Sequence, residues 1–176
     1  MARIFEYGKL ERRATKIGNF LPGQFTDAQG VYYGTGAIAT DTNAYEFGEL
    51  VEIVGRTNKV LKVKRATSSI ALATTGFVIR DVVGQRVIES GIIEGIKAES
   101  GLPFTVLPAS APQGWGFVVP VSKAVSKGDQ VYGDKTTLGA LTNTSTSNLE
   151  LTGWKFASDS YKPTSGAGLC AFVEKV

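Results

Sequence analysis

Between Trp115 and Tyr132 the side chains keep a two-residue period. Trp115, Phe117, Val119 and Val121 occupy every second position. Alternate residues of an extended chain leave opposite faces, so these four share one face of a strand. Gly128-Asp129 then supplies the backbone freedom from which a new strand, Gln130-Val131-Tyr132, can start. Nothing in the stretch titrates near neutral pH. It is scaffold, and the purpose of the β module it builds must lie on that module's surface.

The rest of the chain repeats this grammar. Its 21 glycines and its apolar runs, broken at short intervals, suit an all-β architecture. Helical periodicity is almost absent. The expected strands are 31–39, 47–54, 59–64, 77–80, 86–96, 104–107, 115–121, 130–132, 149–156 and 169–174. Gly55-Arg56-Thr57-Asn58 is the expected loop of a hairpin whose second strand alternates Leu61 and Val63 with Lys62 and Lys64, leaving one wet face. Residues 142–148 and 158–168 read as exposed loops. The fold class expected is therefore a single antiparallel β-sandwich or barrel-like domain over 21–176, preceded by an extended arm at 1–20.

At 176 residues the chain buries roughly 70% of its unfolded surface and needs no disulfide staple. Its one cysteine, Cys170, lies in the apolar run Leu169-Cys170-Ala171-Phe172-Val173, which predicts a buried thiol. Charges near Met1 leave no room for the apolar stretch of a signal peptide, and no run approaches a membrane span, so a soluble compartment and no membrane partner are expected. Of 19 basic and 16 acidic side chains, five and two respectively fall in residues 1–20, leaving 14 of each elsewhere. The net charge of +3 thus belongs to the arm. There Arg3, Lys9, Arg12, Arg13 and Lys16 interleave with Ile4, Phe5, Tyr7, Leu10 and Ile17. A solvated terminus or a nucleic-acid tail would fit the charges. The apolar interleaving better fits an arm that docks on an acidic protein surface, partly by strand pairing.

Catalytic constellations are limited by inventory. With no histidine and one cysteine, neither a histidine-based triad nor a thiolate zinc cage can form, so no catalytic, metal or cofactor residues are expected. Glu49 and Glu52 stand an odd number of positions apart in the strand expected at 47–54 and leave opposite faces, as solvated or edge-guarding carboxylates. Gly34-Thr35-Gly36-Ala37-Ile38-Ala39 imitates a dinucleotide fingerprint, but Thr40-Asp41-Thr42-Asn43 follows where that fingerprint needs a helix; the segment reads as a glycine-bent strand.

Six short motifs occur in a recognisable order: Pro22-Gly23-Gln24-Phe25-Thr26-Asp27, Tyr45-Glu46-Phe47-Gly48-Glu49-Leu50-Val51, Gly76-Phe77-Val78-Ile79-Arg80-Asp81, Gly114-Trp115-Gly116-Phe117-Val118, Lys127-Gly128-Asp129-Gln130-Val131-Tyr132 and Leu138-Gly139-Ala140-Leu141. In order and spacing the chain from about Pro22 to Val176 resembles the structural cement proteins of tailed-phage heads. The resemblance implies a non-enzymatic decoration protein, made in the host cytoplasm and carried on the capsid exterior. Its implied partner is the major capsid protein, bound at junctions between subunits of the expanded shell and stabilised there against packaged DNA. Other copies of the chain, in a trimer, are a further expected partner; nucleic acid is not. The arm before Pro22 lies outside the matched part, and its capsid-binding role for Arg3, Ile4, Phe5, Tyr7, Lys9, Arg12, Arg13 and Lys16 is inferred from its chemistry alone. The alternatives are another virion or tail structural module and a carbohydrate-binding β-sandwich. The latter would need aromatic platforms in solvent, whereas Trp115 and Trp154 alternate with Phe117 and Phe156 as core residues do.

Overall fold

The computed structural model describes residues 23, 35–43, 45–67, 70–79, 104–110, 116–163 and 168–176, with the backbone alone at 86–87, 93–94 and 97–98. The strands in chain order are β1 (Thr35–Ala39), β2 (Tyr45–Glu46), β3 (Leu50–Thr57), β4 (Val60–Arg65), β5 (Thr75–Ile79), β6 (Arg86–Val87), β7 (Ile93–Glu94), β8 (Lys97–Ala98), β9 (Phe104–Pro108), β10 (Gly116–Pro120), β11 (Gln130–Gly133), β12 (Leu141–Thr142), β13 (Leu149–Phe156) and β14 (Cys170–Lys175). Among the described residues the one helical element is a 3-10 turn at Leu72–Thr74.

The chain is all-β. Strands β1, β4, β3, β5 and β9 close into a barrel, and β10, β14, β13, β11 and β12 form a second sheet in that order. A bridge from Val121 to Leu141 ties the two ends of this second sheet to each other. Among the described residues the strand ladders are antiparallel except that β1 runs parallel to β4, with Ala37 opposite Leu61 and Ala39 opposite Val63; the isolated Val121–Leu141 bridge is parallel too. The wholly antiparallel expectation is corrected at this point, because β1 is not hairpin-linked to its neighbour and is free to enter in either sense.

Two-residue alternation sorts the barrel wall into two cores. Val51, Val63, Val78, Phe104 and Val106 point inward with Ala37, Tyr45 and Leu61 and fill the barrel. Their neighbours Leu50, Phe77, Ile79 and Leu107 point outward and pack against Phe117, Val119, Val131, Leu151, Trp154 and Phe156 of the second sheet. This shared wall is why β5 is buried at all five positions and reads as a continuous apolar run. At the centre of the interface Phe77, Phe117 and Trp154 meet edge to face, with ring centroids 5.0, 5.1 and 5.6 Å apart. Such pairs gain energy beyond the area they bury. The indole Nε1–H of Trp154 donates to the Ala109 carbonyl at 2.8 Å, binding the sheet to the end of β9. Phe117, Val119 and Val121 do share one face, as their alternation requires; Trp115 lies outside the described residues.

Several boundaries move. The hairpin turn is Asn58-Lys59 rather than 55–58: both residues have positive φ (48° and 69°), so the strand runs on through Gly55 to Thr57. A two-residue turn of this hand matches the strand twist better than a four-residue loop. The shift is absorbed by a bulge at Val54, between the pairs Ile53–Val63 and Gly55–Lys62. Strand β3 begins at Leu50, because Phe47-Gly48 is a turn. The single strand expected at 86–96 is instead the antiparallel pair β6 and β7, with Arg86 opposite Glu94 and Val87 opposite Ile93. Thr142 and Ser158, expected in exposed loops, are buried; Thr142 is held in β12, and the Ser158 hydroxyl accepts the Phe172 N–H at 3.0 Å.

Candidate functional site

The quoted motifs, far apart in sequence, converge where the barrel meets the second sheet. Gly48, in the turn before β3, has φ +81°, and a Cβ there would lie 2.7 Å from the Val118 carbonyl, 2.9 Å from Pro120 and 3.0 Å from the Gly23 nitrogen. Gly23 is itself buried and donates its N–H to Val118 at 2.7 Å. Across the same seam Leu50 donates to the Gly139 carbonyl at 2.8 Å. Residues of four motifs thus touch one another. Their glycines mark close approaches of backbone, which only a residue without a side chain permits.

Glu49 is the charged centre of this seam. It was expected to be solvated or to guard an edge; instead it is 5% exposed, because Gly139 and the turn 46–49 close over it. One carboxylate oxygen accepts the Glu46 N–H at 2.8 Å and the other faces Arg65 Nε at 3.4 Å. Burial raises its pKa, and the Glu46 hydrogen bond and the Arg65 charge offset that only in part. Glu52 is half-buried and pairs with Lys64 at 3.3 Å, on a different strand position from Glu49. The two carboxylates do not form an acid/base pair.

Nearby, Asp41 gathers the Tyr45 hydroxyl, the Asn43 N–H at 3.2 Å and the Arg65 N–H at 3.0 Å. Its burial pushes upward, yet these donors bring its carboxyl below the usual value. The Tyr45 hydroxyl is raised by burial and by Asp41. Asp41 therefore fixes the chain after β1, where a dinucleotide site would need a helix. Asp129 has the same structural use: Ser126 N–H donates at 2.9 Å and the Asn143 amide at 2.6 Å, both lowering its pKa. Cys170 is buried, and burial pushes its thiol up to about 12, far from a reactive thiolate. Among the described residues no group of three or more His, Cys, Asp or Glu side chains could hold a metal ion, and no helix is long and apolar enough to cross a membrane.

The arm residues Arg3, Ile4, Phe5, Tyr7, Lys9, Arg12, Arg13 and Lys16 lie outside the described residues. Trp154 is fully buried and offers no sugar platform. What sequence reasoning passed over is the outer barrel face at β1, β4 and β3, where Ile38 is 44% and Val54 45% exposed beside Lys62. The signal was present for Ile38, which alternates with the inward Ala37. It was hidden for Val54, whose exposure depends on the bulge.

Comparison with known proteins agrees with this architecture. No curated protein sequence matches the chain. A chain of the solved structure "The capsid of Myoviridae Phage XM1" superposes with a TM-score of 0.53 at 18% sequence identity, over 92% of each chain. At that identity the likeness is one of fold. The family model described as structural cement protein (E217 gp24/Pam3 gp6) matches residues 13–173, a span that includes every motif converging at the seam. By that match the chain belongs to the structural cement protein family.

Proposed function

We propose that this protein binds the outer surface of the expanded phage capsid, at junctions between major capsid protein subunits, and stabilises the shell against the pressure of packaged DNA. The observation that carries the reading is the family match over residues 13–173. The doubly buried barrel wall supports it, since a shell clamp must transmit force without deforming and close-packed cores resist deformation. The role is structural and non-enzymatic, exercised on the virion after synthesis in the host cytoplasm.

Binding at a junction is composite. Each contact with one subunit is weak, and avidity over two or more gives the affinity. The chain assembles with other copies of itself around three-fold or quasi-three-fold positions, as a trimer. The basic arm, up to roughly 60 Å long if residues 1–18 are extended at about 3.3 Å each, reaches an adjacent subunit and sets Arg3, Lys9, Arg12, Arg13 and Lys16 against acidic surface. Ile4, Phe5 and Tyr7 anchor it. Sedimentation with purified shells tests the reading: the protein should pellet with expanded shells and scarcely associate with free capsid subunits. Equal binding to both would overturn it.

A further inference from the structure

We infer that the outer face of the barrel at β1, β4 and the β3–β4 hairpin is a second capsid contact, distinct from the N-terminal arm, and that it receives an acidic protein surface with an apolar centre. The inference rests on the cement reading above and names a partner chemistry for it.

Ile38, Lys62 and Gly55 form one cross-strand row over β1, β4 and β3, on the side of the wall opposite Ala37, Leu61 and Val63. Ile38 and Val54 are two of the four large hydrophobic side chains exposed among the described residues, and here they flank the same lysine. Gly36, two residues before Ile38 on the same face, and Gly55 are open: a Cβ at either would meet nothing within 4 Å. A partner's backbone can therefore come close to the sheet at both positions.

The charge of the face is one-sided. Lys64 is neutralised by Glu52, whereas Lys62 in the row and Lys59 in the hairpin turn are exposed and make no ion pair among the described residues. Two uncompensated cations beside two apolar side chains complement an acidic rim around an apolar centre. The positions are set in advance, because the β3–β4 ladder runs from Val51–Arg65 to Thr57–Val60 and ends in a two-residue turn. A rigid contact loses little entropy on docking. Nucleic acid would use the cations but gain nothing from Ile38 and Val54, so a protein surface is the better fit.

The test sediments the full chain with genome-free expanded shells of the phage that encodes it. Lys62→Glu reverses the central charge, and Gly55→Glu places a carboxylate where there is room for it on a residue outside the left-handed region. Lys155→Glu, exposed on β13, is the control. Each of the first two should lower retention by about tenfold at low salt and less at high salt. The control should stay within about twofold of the parent, and near-ultraviolet circular dichroism should confirm that all three fold. A parent chain that binds shells while Lys62→Glu and Gly55→Glu bind equally well overturns this inference alone, as does a loss just as large for Lys155→Glu. A parent chain that does not sediment with shells overturns the cement reading and this inference together. Loss of affinity for a short DNA duplex in the two variants, with shell retention unchanged, makes the face a nucleic-acid site and overturns it too.

Discussion

The side chain of Trp154 in the second sheet and the carbonyl of Ala109 at the end of barrel strand β9 are joined by a 2.8 Å hydrogen bond across the buried interface. Lys175 Nζ approaches the same carbonyl at 3.4 Å and lies 5.4 Å from the centre of the Trp154 ring. The bond satisfies a donor that burial would otherwise leave orphaned, and it fixes the two layers in register. Trp154→Phe keeps most of the ring contacts but removes the donor. It should cost about 1–3 kcal/mol, seen as a lower urea midpoint with an unchanged slope.

Gly139 and Glu49 are coupled by contact. Gly139 has φ +89°, and a Cβ there would lie 2.4 Å from Glu49 Cγ. Gly139→Ala should therefore destabilise the fold by about 3 kcal/mol through backbone strain and overpacking together. With Glu49→Ala in the same chain the overpacking part disappears. A double-mutant cycle by chemical denaturation should show the paired cost to be well below the sum of the singles; additivity would mean that the contact does not matter.

Acid should act in two opposite stages. Burial holds the Glu49 carboxyl above its ordinary 4.5, so the folded chain takes up that proton more readily than the unfolded one. The stabilisation this gives is complete below 4.5 and is lost as pH rises through the folded value. Asp41, Asp129 and Asp134 are held below 3.8, and their contribution is lost as pH falls through their folded values. Thermal unfolding should show stability rising as pH drops from 7 toward 4.5, then falling below 3.8. Glu49→Gln, which keeps an acceptor for the Glu46 N–H, should abolish the rise and leave the fall.

Lys59 carries a φ of 69° in the hairpin turn after Asn58. Lys59→Gly creates the Asn-Gly pair that this turn prefers and should stabilise the chain by about 1 kcal/mol, raising the melting temperature. If the outer barrel face binds shells as inferred, the same variant should be retained less well, because it removes one of two uncompensated cations. Stability and retention would then move in opposite directions in one protein.

How far the sequence could be read depended on the range of the cause. Phe117, Val119 and Val121 were legible because alternation is local, and so was the burial of Cys170. The buried state of Glu49 was not: it follows from Gly139, ninety residues on, closing over it, and nothing near Glu49 in the chain records that. The bulge at Val54 and the parallel entry of β1 likewise arise from long-range pairing. The motif glycines could be recognised as a pattern, but their purpose became visible only when Gly48 was found against Val118 and Gly139 against Glu49.

The order of strands along the chain also governs how the molecule must be born. All five barrel staves precede residue 109 in sequence, whereas the second sheet needs β14, the last described strand, to sit between β10 and β13. During synthesis the barrel can therefore close while its sheet is still unfinished. Leu50, Phe77, Ile79 and Leu107 then face water until Phe117, Trp154 and Phe156 arrive to cover them. For that interval the nascent chain displays an apolar patch of the kind that draws chaperones and invites aggregation, and slowing translation between residues 110 and 170 should lengthen the hazard.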